Sequence, residues 1–492
     1  MDFKPIIQSF INENGLIDHH ISSFNYFVEN GMQKVVNEIA VIQPEIEEFE
    51  IRLGKINIGE PSVKEANGSI RKIFPNEARL RDLTYAAPIS IEMIPVMSGE
   101  EQEPIEAKIG ELPIMLYSNK CLLKGLSRDE TIKAGEDPDD PGGYFIVNGT
   151  ERVLALVEDL APNKLNVERS KVGTTTERVR VFSEGGWYRR RNSVDRRKDG
   201  ALLFTTPPFS KPLPLIAVMR ALGMEKDSEL VRAVSNDPSV VDELYVSFEE
   251  ASDVQTVDDA LDSLGKKVAF GQNRPERIER AKRVLDTFVL PHIGTEPEHR
   301  IMKAHYLARM AERVIMLHQN KIEVDDKDHY ANKRLKLAGS LFEDLFRVAF
   351  RALINNTVYS LEKAFKRNRK ISILTAIRSN FLTERVQHAI ATGSWIGDQQ
   401  GVSQHLDRMN YISALSHRRR VRSLLSTTQP HFEARDLHAT HWGRLCPSET
   451  PEGSNIGLVK NLAITSKITK KTDDAAIEEQ LFKLNVKPEV EK

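Results

Sequence analysis

His438 and His441 stand in a His-x-x-His spacing, with Cys446 a short way downstream. That set can put two imidazoles and a thiolate on one metal ion only if all three converge. Structural zinc takes four ligands and catalytic zinc three, and the sequence offers no strong third, so no metal site is expected here. A Cys/His nucleophile pair lacks a recognisable orienting group. Carboxylates for two-metal chemistry are available at Asp137, Asp139 and Asp140, and again at Asp325, Asp326 and Asp328. Such chemistry requires them to converge on neighbouring cations, yet turn-forming Pro and Gly surround the first set and neither matches a Walker or calcium-loop spacing. Anion binding is the other chemistry on offer. GVSQHLDRMNYISALSHRRRVRSLL, from Gly401 to Leu425, gathers Gln404, Asp407, Arg408, Asn410, His417, Arg418, Arg419, Arg420 and Arg422. Arginines this dense are costly to leave unpaired and phosphates are a natural counterion, while a solvated basic face is the plainer reading. Lys333 and Arg334, in HYANKRL, can reach nucleic acid or pair with acidic neighbours such as Asp326.

The elements that must position these residues are legible in outline. Gly443, Pro447, Pro451, Gly453 and Gly457 interrupt HATHWGRLCPSETPEGSNIGLVKNLA (His438–Ala463), forbidding a long helix or a central strand and predicting a specific, buried loop. Within it Arg444, Glu449 and Glu452 can pair with one another, either to brace the loop or to serve a site. FEIRLGKINI, at Phe49–Ile58, alternates as a half-buried strand does, and Asp2–Glu38 reads as mainly helical. EDPDDPGG breaks regular structure, after which YFIVNGTERVLAL predicts a hairpin turning at Asn-Gly. From Asn163 to Phe204 the pattern is β with a basic run at Arg189–Lys198, and from Leu213 to Gln319 it is helical. Leu335–Lys370 predicts one or two long helices, and a loop-rich part begins near Gly393. Six lysines and six carboxylates crowd Ser466–Lys492, a composition that needs a partner to become ordered.

A length of 492 residues predicts a multi-domain globular protein of about three domains. Two cysteines exclude a disulfide framework and a four-thiolate zinc site. No apolar run is long enough to span a membrane, so a cytoplasmic protein is expected. The net charge of -2 argues against an overall basic nucleic-acid binder. It hides local asymmetry, for Gly401–Thr450 holds seven arginines and five histidines against four carboxylates.

The His438–Ala463 motif resembles, almost residue for residue, the second-largest subunit of multisubunit DNA-dependent RNA polymerases. PNEARLRDLTYAAP (Pro75–Pro88), DPDDPGGYFIVNGTERV (Asp137–Val153) and DDKDHYANKRLKLAG (Asp325–Gly339) are similar to blocks of archaeal and eukaryotic members, in the right order. Gly401–Leu425 is similar to the fork region, which in bacterial members lies along the early RNA and the DNA-RNA hybrid. The resemblance implies an α+β multi-domain fold: a mixed α/β protrusion (1–160 and 336–395), an inserted α+β lobe (161–335), a loop-rich fork (396–465) and a tail (466–492). It further implies the N-terminal half of a split archaeal subunit, with the other half, the largest subunit, other polymerase subunits, DNA and RNA as partners. The chain would act as a subunit of a nucleotidyltransferase and form one wall of the DNA cleft. By the same resemblance it binds no cofactor itself, and the Mg2+ of the assembled enzyme is held mainly by the largest subunit. Nucleic-acid contacts are expected at Gln404, Arg408, His417, Arg418, Arg419, Arg420, Lys333 and Arg334, the three consecutive arginines touching the backbone or bracing such contacts. Support of the active centre is expected from Arg435, His438, Arg444, Glu449 and Glu452, with Arg435 and Glu452 forming an ion pair.

Overall fold

A computed structural model describes residues 3–46, 48–170, 173–186, 188–367, 372–469, 474–484 and 486. The chain divides into two compact units, one running to Asp159 and resuming at Leu335, the other Leu160–Arg334.

In the first unit FEIRLGKINI is a strand over Phe49–Ile58, its alternation burying Phe49 and Ile51. It pairs antiparallel with Ala86–Met97, which sends Ala87, Ile89, Ile91 and Met93 into the core and pairs in turn with Ile105–Pro113. The N-terminal region is helical over Lys4–Asn14, Asp18–Tyr26 and Met32–Ile39, the last two joined by a π-helical turn at Phe27–Gly31. One continuous helix of 29 residues, Ala338–Lys366, crosses this unit. Leu341, Leu345, Phe342, Phe346, Ala349 and Phe350 recur at helical spacing on its buried side. The Phe342 ring lies 5.1 Å from Phe145, 5.5 Å from Phe24 and 6.0 Å from Trp395, whose indole N–H donates to the Leu341 carbonyl at 3.1 Å. Such edge-to-face clusters hold helix and hairpin together through shape as well as buried area.

The hairpin frames the site. Phe145–Val147 and Thr150–Leu154 pair antiparallel around Asn148 and Gly149, both at positive φ (48° and 71°), as a tight primed turn requires. Thr150–Leu154 then pairs with Ser403–His405. The following strand, from Leu156, pairs parallel with Arg420–Ser423, which is antiparallel to Val459–Asn461. Both arginine-rich and Gly/Pro-rich segments are thereby sewn to the chain around residue 150.

The second unit is a meander of antiparallel strands, Leu165–Arg169, Thr175–Gly185, Tyr188–Arg197, Leu202–Thr205 and Leu213–Pro214. Val179, Val181, Val194 and Phe204 pack with Leu307, Ala311 and Val314 of the Arg300–His318 helix. No helix among the described residues is long and apolar enough to cross a membrane.

The Gly/Pro-rich loop departs from the expectation of burial. Residues from Pro447 to Ile456 are exposed, while His441, Leu445, Leu458, Lys460, Asn461 and Leu462 bury its ends. Its prolines and glycines set its path without giving it apolar side chains to bury.

Candidate nucleic-acid interface

The arginine run changes direction halfway along. Asn410 caps the Tyr411–Arg418 helix, its side chain accepting the Ser413 N–H at 2.7 Å, and the helix ends just before the Arg420–Ser423 strand. Arg418 and Arg419 therefore follow the helical geometry and turn inward. In the strand, Val421 and Ser423 are buried while Arg420 and Arg422 share the opposite face.

Arg418 is 2% exposed. It donates to Asp140 Oδ1 and to the Gly142 carbonyl, both at 2.8 Å, and its guanidinium lies 5.3 Å from the Tyr144 ring centre. Arg408 approaches the same ring at 5.0 Å, donating to Glu151 at 2.6 Å and Asp140 at 2.8 Å. Arg79 bonds Glu151 at 2.8 Å, Glu136 at 2.6 Å and the Tyr144 hydroxyl at 2.8 Å. Three arginines and three carboxylates thus enclose one tyrosine. Burial pushes the Asp140 carboxyl up, but Arg418 and Arg408 outweigh it and hold it below the usual range. Glu151 is likewise held low against its burial by Arg408 and Arg79, whereas burial dominates at Glu136 and raises it.

Arg419, also buried, donates to the carbonyls of Leu16 at 2.5 Å and Ala463 at 2.7 Å, and burial lowers its pKa. His20 is buried beside it, its Nε2 2.7 Å from the Arg418 carbonyl, and burial carries its pKa down to about 4. The geometry thus assigns Arg408, Arg418 and Arg419 to bracing within this chain.

The Arg420 side chain makes no hydrogen bond or ion pair among the described residues, although its charge acts on Asp407 and His417. With Arg422, Gln404, Glu449, Thr450 and Asn455 it lines a cavity of about 400 Å³. Arg422 donates to the Gly401 carbonyl at 2.9 Å, and burial lowers its pKa. Gln404 is oriented by His417: the Asp407 N–H donates to His417 Nδ1 at 3.1 Å, leaving Nε2–H to donate to Gln404 Oε1 at 2.9 Å. Burial, reinforced by Arg420, lowers the His417 pKa to about 4, so the ring is neutral at pH 7.

The loop residues act on the same cavity from its far side. Arg435 donates to the carbonyls of Ser454 at 2.7 Å and Ile456 at 2.9 Å, clamping the turn that carries Asn455. Gly457 has φ +70°, and a Cβ there would lie 2.1 Å from the Arg435 carbonyl oxygen, so only glycine fits. The expected Arg435–Glu452 ion pair does not form, because Arg435 is committed to these carbonyls; Glu452 is exposed and makes no side-chain bond among the described residues. Nor do Arg444, Glu449 and Glu452 pair with one another. Arg444 bonds the Thr440 carbonyl at 3.0 Å and Glu449 accepts from Ser416 at 2.5 Å. His438 Nδ1 accepts the Thr440 N–H at 3.1 Å, its ring 6.1 Å from that of His441. Among the described residues no group of three His, Cys, Asp or Glu side chains could hold a metal.

Both acidic clusters are built into their surroundings. Asp139 binds Arg128 through both carboxylate oxygens at 2.8 and 2.9 Å, and Asp137 accepts the Asp139 N–H at 2.9 Å. In the second unit Asp325 accepts the Val167 N–H at 2.8 Å, Asp326 that of Asp328 at 2.8 Å, and Asp328 pairs with Lys333 at 3.1 Å. Arg334 bonds the Ala331 and Lys333 carbonyls at 3.1 and 2.8 Å.

Arg79, Tyr144 and Glu151 are site residues that the sequence did not single out, and Asp140, weighed there as a metal ligand, serves as a partner of Arg418 and Arg408 instead. Their signal was present: all lie in the Pro75–Pro88 and Asp137–Val153 blocks, whose resemblance carried no stated role.

Fold and site together define a large α+β protein in two compact units, with an arginine-lined cavity held by buried ion pairs. Residues 15–384 match the model for the RNA polymerase beta subunit, and residues 404–468 that for RNA polymerase Rpb2, domain 3. DNA-directed RNA polymerase subunit Rpo2 of Saccharolobus solfataricus is 49% identical over 98% of this chain and 43% of its own length. Subunit Rpo2N of Halobacterium salinarum is 47% identical over 96% of the chain and 93% of itself; that of Methanocaldococcus jannaschii is 47% identical over 98% and 99%. The chain belongs to the RNA polymerase beta-subunit family and spans less than half the length of its Rpo2 relatives.

Proposed function

We propose that the chain is the N-terminal half of the second-largest subunit of an archaeal DNA-dependent RNA polymerase, working in the cytoplasm. On this reading residues 1–160 and 336–395 are the protrusion, 161–335 the lobe, 396–465 the fork and 466–492 a tail toward the other half. The partners are that half, the largest subunit with the catalytic Mg2+, further polymerase subunits, DNA and RNA. The reaction is template-directed nucleotidyl transfer, and this chain's part in it is to hold template and hybrid beside the active centre.

The carrying observation is the Arg420–Arg422 face. Two guanidinium groups on one side of a strand, one making no side-chain hydrogen bond or ion pair among the described residues, line a polar cavity with Gln404, Thr450, Asn455 and Glu449, whose carboxylate accepts from the Ser416 hydroxyl. Sugar-phosphate backbone suits that lining: phosphate takes the guanidinium fork, and the amides and hydroxyl meet sugar or base edges without selecting a sequence. Arg408, Arg418 and Arg419 hold the strand from behind, and Arg435 fixes the turn that brings Asn455 to the cavity.

Arg420→Ala in the reconstituted enzyme tests the reading. Loss of one phosphate contact should shorten the lifetime of the elongation complex and reduce the slope of log affinity against log salt by about 0.7 to 0.9. An unchanged slope overturns the assignment of Arg420 to nucleic acid.

A further inference from the structure

The helix Asp474–Lys483 has no described residue buried: every position from Ala475 to Leu484 is exposed. Ile477, Leu481 and Leu484 fall on one side of it and are 48%, 42% and 75% exposed, while Glu479 and Lys483 pair on the far side at 2.8 Å. A helix this short is marginal in water unless something covers its apolar stripe. A second uncovered surface belongs to the same unit. A groove of about 550 Å³ lies between Phe10, Asn14 and His19 on one side and Ser466 and Ile468 on the other, with Arg419 at its base. Ile464, two residues before Ser466, is 58% exposed, and the Lys4–Asn14 helix buries no side chain.

The relatives indicate what covers these surfaces. In Saccharolobus solfataricus the stretch matching 98% of this chain is 43% of one polypeptide, so more than half of that subunit lies outside it. In Halobacterium salinarum and Methanocaldococcus jannaschii the same stretch makes up 93% and 99% of a chain of its own.

We propose that the Ile477/Leu481/Leu484 stripe, together with the groove between the N-terminal helices and Ser466–Ile468, seats the remaining part of the subunit. This rests on the polymerase-subunit reading above and names the surface through which it assembles. The complementary surface is apolar at its centre, to take the stripe, and basic at its rim, to meet Glu478 on the stripe's flank. It orders the helix by covering it.

The test is co-expression of the full chain with the remaining part of the subunit as a second chain. On association, amide exchange across Ala475–Lys483 should slow about a hundredfold or more, from the near-unprotected rate of an uncovered helix. Ile477→Asp with Leu481→Asp should weaken association about a hundredfold, as loss of central apolar anchors does. The same variant should leave the chain's own thermal midpoint unchanged, since neither side chain is buried in it, and Ile477→Leu with Leu481→Met should restore binding. Unchanged exchange in the complex, or wild-type affinity of the Asp variant, overturns the inference. So does self-association of the free chain that the Asp variant abolishes, which gives the stripe to a second copy. If the wild-type chain associates with no such second chain, the polymerase-subunit reading falls as well, which separates the two failures.

Discussion

Replacing Arg418 by Ala removes the one guanidinium that reaches the Asp140 carboxylate from the buried side. Asp140 keeps Arg408, whose side chain is 42% exposed, and the Gly142 N–H at 3.0 Å. Breaking a buried ion pair by deleting one partner costs about 3 to 5 kcal/mol, and the surviving Arg408 contact puts this case at the lower end, about 3 kcal/mol. Tyr144 loses an interaction with its ring worth about 1 kcal/mol. The pH dependence has a definite sign. The folded Asp140 pKa is depressed, so the pair's stabilisation is present above the unfolded carboxyl pKa and disappears as pH falls through the lower folded one. Without Arg418 the opposing effect of burial gains and the Asp140 pKa rises toward its unfolded value, so the variant loses less stability on acidification than the intact chain does. Urea unfolding at pH 7 and pH 4, followed by tryptophan fluorescence and by amide exchange of the Phe145–Leu154 hairpin, measures both effects. Arg418→Ala should unfold at markedly lower urea than Arg420→Ala, with a gap that narrows at acid pH. Equal loss from the two variants, or a loss under about 1 kcal/mol for Arg418→Ala, refutes the division of the run into bracing and outward-facing members.

Protonating His417 breaks its acceptance of the Asp407 N–H; with a folded pKa of about 4 against an unfolded value near 6.5, it favours unfolding increasingly as pH drops from 6.5 toward 4, by up to about 3 kcal/mol. A His417→Gln chain should lose part of that acid sensitivity in thermal melts between those values, and an identical pH profile refutes the buried neutral ring. Arg435→Ala frees the turn around Asn455 without touching the core, so the reconstituted enzyme should elongate more slowly at an almost unchanged melting temperature. Normal elongation by that enzyme removes Arg435 from any supporting role.

Periodicity was a reliable guide where an element is long or alternates strictly. The Phe49–Ile58 strand, the Asn-Gly hairpin and a long helix within Leu335–Lys370, expected there as one or two, follow from spacing and turn chemistry, because each buries an apolar face. The arginine run was legible as chemistry but not as geometry. A helix that ends at Arg418 and a strand that begins at Arg420 change the side-chain period within two residues, and no composition or spacing marks the change. The Arg435–Glu452 pairing failed for a related reason: opposite charges on one loop suggest a pair, whereas Arg435 found unsatisfied carbonyls closer to hand. The Tyr144 cluster joins segments more than two hundred residues apart, a distance that reading along one chain does not bridge.

Asp140 answers to two arginines and Glu151 to two, with Arg408 common to both carboxylates. Substitutions here are consequently epistatic. A change tolerated at Arg408 when Asp140 is neutral is harmful when Asp140 is charged, and double-mutant energies among Arg79, Asp140, Glu151, Arg408 and Arg418 will depart from the sum of the singles. Such a cluster changes by concerted replacement rather than by drift at single sites, so grafting the segment that corresponds to Gly401–Leu425 from one relative onto the frame of another should fail unless Arg79, Asp140, Tyr144 and Glu151 travel with it.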